Sequence, residues 1–160
     1  MRCIFCEYPI RRIGKGQFES FSAGSEPRSA VNPYAIRVLQ ESYRIDASAA
    51  RSKSCEEFKG QSFDFVIVIG DHETERCPTR EGQPIVAHWT LPSPTGFNGN
   101  EEKTYRYFWC VSRYIYHRLE LFCGLPFESP DRLRLEHATK EIGQTSTVFS
   151  QDMSAIIVQV

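Results

Sequence analysis

"FDFVIVIG", residues Phe63–Gly70, is a short continuous apolar run rich in β-branched residues. A run of that length and composition predicts a strand buried on both faces, as in a parallel sheet. Ile85–Trp89 (IVAHW) reads as a second short strand, and Leu91–Asn100 (LPSPTGFNGN) as loop. Upstream, Phe18–Ser22 (FESFS) alternates apolar and polar as a strand does, until "AGSEP" breaks it. Between these lie helical signals. Asn32 is a good N-cap and Pro33 suits the first helical position, so Pro33–Ser42 reads as an amphipathic helix with Ile36, Leu39 and Tyr43 in phase. A long helix follows over Glu101–Phe122, with Phe108, Val111, Ile115, Leu119 and Phe122 in one stripe and Gly124 at its C-cap. Ser129-Pro130-Asp131 starts a last helix that Gly143 can end. Strands alternating with helices predict an α/β, doubly wound parallel sheet. In such sheets the site lies at the carboxyl ends of the strands, here Ser22–Ser25, Gly70–Cys77 and His88–Pro94.

The bulk numbers exclude several classes. The chain has 160 residues, enough for one domain with a real core, and a net charge of −1. No basic run is interleaved with aromatics, so a nucleic-acid partner is not expected. No apolar stretch approaches a membrane span, and the N-terminus carries no apolar signal core. The expected compartment is the cytoplasm, where the six cysteines are thiols rather than a disulfide framework. Residues 1–143 read as the domain. Residues 144–160 read as a tail, either disordered or strand-like, polar first and then ending in "AIIVQV".

The pieces Ser22-Ala23-Gly24-Ser25, Asn32-Pro33, Arg51-Ser52-Lys53-Ser54, Asp71 with Cys77-Pro78, and Gly82-Gln83-Pro84 leading to His88-Trp89 occur in a fixed order. In that order the chain resembles the thiol-dependent arsenate reductases built on the low-molecular-weight protein tyrosine phosphatase fold. The resemblance covers about Arg2 to Gly143. It implies a Cys-x5-Arg loop whose N–H groups and arginine cradle a tetrahedral oxyanion, arsenate or phosphate. A cysteine thiolate attacks that oxyanion, and an aspartate in an Asp-Pro pair protonates the leaving oxygen. The implied partner is a thiol reductant: thioredoxin, glutaredoxin or a small thiol. No cofactor or metal is implied.

Two registers compete for the loop. In one, Cys6 is the nucleophile and Arg12 its arginine. Against it, Pro9 removes an N–H, Glu7 puts a negative charge where an anion must bind, and no glycine permits close approach. No room is then left for a helix before Ser22. In the other register Arg2 is the oxyanion-binding arginine and the residues after it form the helix, with Pro9 inside. That register is favoured. It carries the expectation that the chain starts after the nucleophile, so that the first strand and most of the catalytic loop are absent, and it leaves open whether Met1 is the true start. The slot so left in the middle of the sheet, between Phe18–Ser22 and Phe63–Gly70, is one that Ala155–Val160 has the composition to enter.

Further departures from the family's pattern bear on activity. Ser93 stands at the general-acid position, and a hydroxyl is a far poorer proton donor than a carboxylic acid. Gly70 stands where such reductases usually carry a cysteine, which leaves Cys77 as a redox thiol without that partner. The sequence therefore predicts an arsenate-reductase-like protein, catalytically impaired as the chain stands. A non-catalytic oxyanion-binding or protein-interaction module and an active enzyme using Cys6 and Arg12 are the alternatives. Cys3 and Cys6 form a Cys-x-x-Cys whose reading as a zinc or redox pair is opposed by the lack of a second such motif. Cys55, Cys110 and Cys123 read as packing or surface thiols. The excess aromatics of "YRYFWCVSRYIYHRLELF" read as a shield for the helix or a partner surface.

Overall fold

The computed structural model describes residues 2–70, 83–91, 97, 99–128 and 131–145. Cys77, Ser93 and the 146–160 tail lie outside the described residues, and with them the fate of Ala155–Val160. In chain order the elements are α1 (Ile4–Ile13), α2 (Pro33–Tyr43), a single 3₁₀ turn (Cys55–Phe58), β1 (Phe65–Gly70), β2 (Ile85–Thr90), α3 (Glu101–Cys123) and α4 (Arg132–Gln144). β1 and β2 are parallel, paired from Phe65 with Ile85 to Gly70 with Thr90. Helices with a parallel pair of strands make this an α/β fold.

Local chemistry explains most boundaries. The Asn32 side chain accepts the Tyr34 N–H at 2.9 Å, and Pro33 opens α2 behind that cap. Asn100 caps α3 by accepting the Lys103 N–H at 2.9 Å, and Asp131 caps α4 through Arg134 N–H at 3.1 Å. The α3 stripe Phe108, Val111, Ile115, Leu119 and Phe122 is buried throughout. α3 packs against α1, α2 and α4, and α4 lies on β2. Trp89 is fully buried there, its indole N–H donating to the Thr139 carbonyl at 3.1 Å. Phe18, Phe65, Phe122 and Phe127 pack edge to face or tilted around the end of α3, with ring centres 5.1 to 5.7 Å apart.

Three expectations change. Phe18–Ser22 keeps its in-out alternation, with Ser22 buried and Phe21 exposed, but forms no ladder. A strand needs a neighbour, and the only bridge beyond β1 and β2 among the described residues joins Gly24 to Ser54. β1 is not buried on both faces. Only Ile69 and Gly70 are buried, because β2 is its one partner among the described strands. Gly143 does not end α4, which runs on to Gln144. It is a close-approach residue instead: a Cβ there would stand 2.4 Å from the His88 carbonyl oxygen.

Candidate functional site

Residues 4–13 are helix, so the stretch between Cys6 and Arg12 is not a loop. Its N–H groups are turned into the helix and do not converge on an anion. The Arg12 guanidinium reaches away from Cys6, to the Tyr43 carbonyl at the end of α2. Pro9 sits buried inside an unbroken α1, leaving one carbonyl of the preceding turn without its helical donor. Burial pushes the Cys6 thiol well up, and the neighbouring Cys3 adds to the shift while Arg118 opposes it. A thiol so placed is held protonated at neutral pH, the reverse of an activated nucleophile.

Arg2 stands just ahead of α1, and its Nη1 donates to the Leu91 carbonyl at 2.6 Å. Leu91 follows β2 directly and donates its own N–H to the Gly70 carbonyl at 3.0 Å. Arg2 is thus fixed at the carboxyl edge of the parallel pair. A second guanidinium meets it there. Arg118, on α3 and almost fully buried, donates to Thr90 O at 3.1 Å and to Thr145 O at 3.0 Å. Burial lowers its pKa and Cys6 raises it, but an arginine stays charged. Two guanidinium groups thus bond the successive carbonyls of Thr90 and Leu91.

The second cluster is centred on Glu7, buried on α1. Lys53 Nζ approaches both its carboxylate oxygens, at 2.8 and 2.9 Å. Arg11 bonds one of them at 3.1 Å, and the Ser22 hydroxyl donates to the other. Ser20 Oγ donates to the Glu7 carbonyl at 2.7 Å. The segments on either side are tied by backbone bonds, Gly24 N–H to Lys53 O at 3.0 Å and Cys55 N–H to Gly24 O at 3.1 Å. Ser54 adds a capping box with Glu57. The Ser22–Ser25 and Arg51–Ser54 stretches therefore meet around one carboxylate on α1. This joins two of the segments on which the sequence resemblance rests to α1.

Residues 3–113 match the family described as low molecular weight phosphotyrosine protein phosphatase. The chain belongs to that family. Among characterised relatives, an arsenate reductase of Halalkalibacterium halodurans is 27% identical over 106 residues, covering 66% of this chain and 75% of the relative. One from Oceanobacillus iheyensis is 26% identical over 112 residues, 70% of this chain and 79% of the relative. One from Bacillus subtilis is 26% identical over 106 residues, with coverage of 66% and 75%. The phosphatase-family match contains α1, both tied segments, both strands and the first half of α3.

Arg2, which the sequence offers as the oxyanion-binding arginine, lies at the carboxyl edge of the parallel pair, whereas Arg118 and the Glu7 cluster carry no such signal in the sequence. Arg118 carries no motif; a lone arginine among aromatics in the long helix reads as a solvated charge. In the sequence Glu7 reads as an obstacle to an anion in the Cys6 register and as a helix position in the Arg2 register, not as a centre of contacts. The signal available was a carboxylate in phase with the buried face of α1. The aromatics on α3 are partly accounted for by local partners. Tyr43 stacks on Tyr116 at 4.9 Å, while Arg37 and Arg113 lie over Tyr105 and Trp109 at 4.7 and 5.1 Å. No described helix is long and apolar enough to cross a membrane.

Proposed function

We propose that this chain is an arsenate-reductase-like family member that binds a tetrahedral oxyanion, arsenate or phosphate, through Arg2, and that its thiol chemistry is impaired as the chain stands. The observation that carries the reading is the Arg2 contact with the Leu91 carbonyl, which sets a cation at the carboxyl edge of the sheet ahead of a helix start. Impairment is supported by three features. Ser93 replaces an acid. Gly70 replaces a thiol. Burial raises the pKa of Cys6, Cys110 and Cys123 alike. Cys77 is the candidate redox thiol, and its reductant is thioredoxin, glutaredoxin or a small thiol in a reducing compartment.

The test is turnover. With any of these reductants, the purified chain reduces arsenate, and hydrolyses aryl phosphates, no faster than a no-protein control. Robust turnover that disappears on Cys6→Ser would overturn both the impairment and the Arg2 register. A chimera tests Ser93 separately. With a family Cys-x5-Arg loop ending at Arg2, Ser93→Asp raises phosphatase activity by about 10²–10⁴-fold, the usual range for general acid catalysis. No gain from Ser93→Asp would show that the acid position is wrongly placed.

A further inference from the structure

Cys3 is the N-cap of α1, but its backbone is already helical, with φ −60° and ψ −29°. Its carbonyl accepts the N–H groups of both Cys6 and Glu7 at 3.0 Å, so the turn from Cys3 to Cys6 is closed. Residues three apart on such a turn are neighbours, with Cβ atoms about 5–6 Å apart. Both cysteines are half-buried, the Cys6 thiol more deeply, and neither is in a disulfide. Cys3 follows Arg2 directly and Cys6 lies one turn further on, where it feels the charge of Arg118. Neither thiol has a place in the oxyanion reading.

We propose that Cys3 and Cys6 form a dithiol site for a trivalent, thiol-seeking arsenic compound. Both cysteines are thiols, so the pair is available to a bridging atom. One arsenic atom between two sulfurs spans the helical gap. The chemistry also suits protonated thiols. For a phenylarsonous acid, two As–O bonds break and two As–S bonds form, each thiol proton leaving with a hydroxide as water. Arsenic stays trivalent, no electron moves and no net proton is released. The burial that makes Cys6 a poor nucleophile toward arsenate therefore leaves ligation proton-balanced. Among the described residues no cluster of three or more His, Cys, Asp or Glu includes this pair, so the site offers two protein ligands. Inorganic arsenite would keep one hydroxyl.

The proposal does not depend on Arg2 binding an oxyanion. The probe is phenylarsine oxide, titrated into the reduced full-length chain and followed by intact mass and free-thiol count. A one-to-one adduct with loss of two free thiols is expected. Either Cys3→Ser or Cys6→Ser weakens it by about 10²–10⁴-fold, the usual gain from a second tethered ligand. Serine differs from cysteine by one atom, so Cys3→Ser keeps α1 intact, which far-UV circular dichroism checks. No adduct in the wild type, or unchanged affinity in folded Cys3→Ser, would overturn the proposal by placing the binding elsewhere or nowhere.

Discussion

Glu7 shows how one buried carboxylate can organise three segments. It is 5% exposed and its Lys53 partner 11% exposed, so neither charge has much water to fall back on. Breaking such a pair from one side costs about 3–5 kcal/mol, because the remaining charge stays buried and alone. Glu7→Leu is expected to lower unfolding free energy by that order in urea titrations, and Lys53→Met added to it should recover part of the loss. If Glu7→Leu alone is neutral, the cluster is not what ties α1 to the Ser22 and Lys53 segments. Cys123 gives a pH prediction. Burial raises its thiol from an ordinary 9.0 to about 11. The fold therefore favours the neutral form. The stability so held is complete below about pH 9 and is lost as pH rises through 11. The urea midpoint should fall over that window, and Cys123→Ala should flatten the fall. An unchanged slope in the variant would assign the alkaline loss to other groups.

At the scale of elements, legibility followed local chemistry. α2 and α3 were readable to within a residue because Asn32, Pro33 and the Phe108–Phe122 stripe act within their own helices. What depended on distant neighbours was not. Phe18–Ser22 has a strand's alternation, yet a ladder is a property of two segments and a sequence shows one. Gly143 was read as a stop because glycine often ends helices, whereas here its missing side chain admits the backbone of β2. That difference is testable. If Gly143 were only a C-cap, alanine would cost little. Inside α4, alanine gains helix propensity of about 1 kcal/mol but collides with the His88 carbonyl, and overpacking of this kind costs about 1–3 kcal/mol. Gly143→Ala should therefore destabilise or leave stability unchanged, while Gly124→Ala, with its nearest contacts at 3.5 Å, should be tolerated. A clear gain in melting temperature for Gly143→Ala would contradict the close approach.

Across the whole molecule, the sequence signalled the fold class through β1 and β2, whose apolar runs do pair in parallel. The sequence pointed to Arg2 as the proposed oxyanion-binding arginine because loop chemistry and helix length disfavoured the Cys6 register. The two arginines at the end of β2 illustrate the limit. Arg2 is close in sequence to a readable motif, whereas Arg118 reaches Thr90 across 28 residues by the packing of α3 alone. The central claim is that the oxyanion site belongs to Arg2 and not to the Cys6–Arg12 pair. Calorimetric titration of arsenate into the wild-type chain, Arg2→Gln and Arg12→Gln tests it most directly. The account predicts that wild type and Arg12→Gln bind alike and that Arg2→Gln loses the binding. Binding retained in Arg2→Gln and abolished in Arg12→Gln would contradict it.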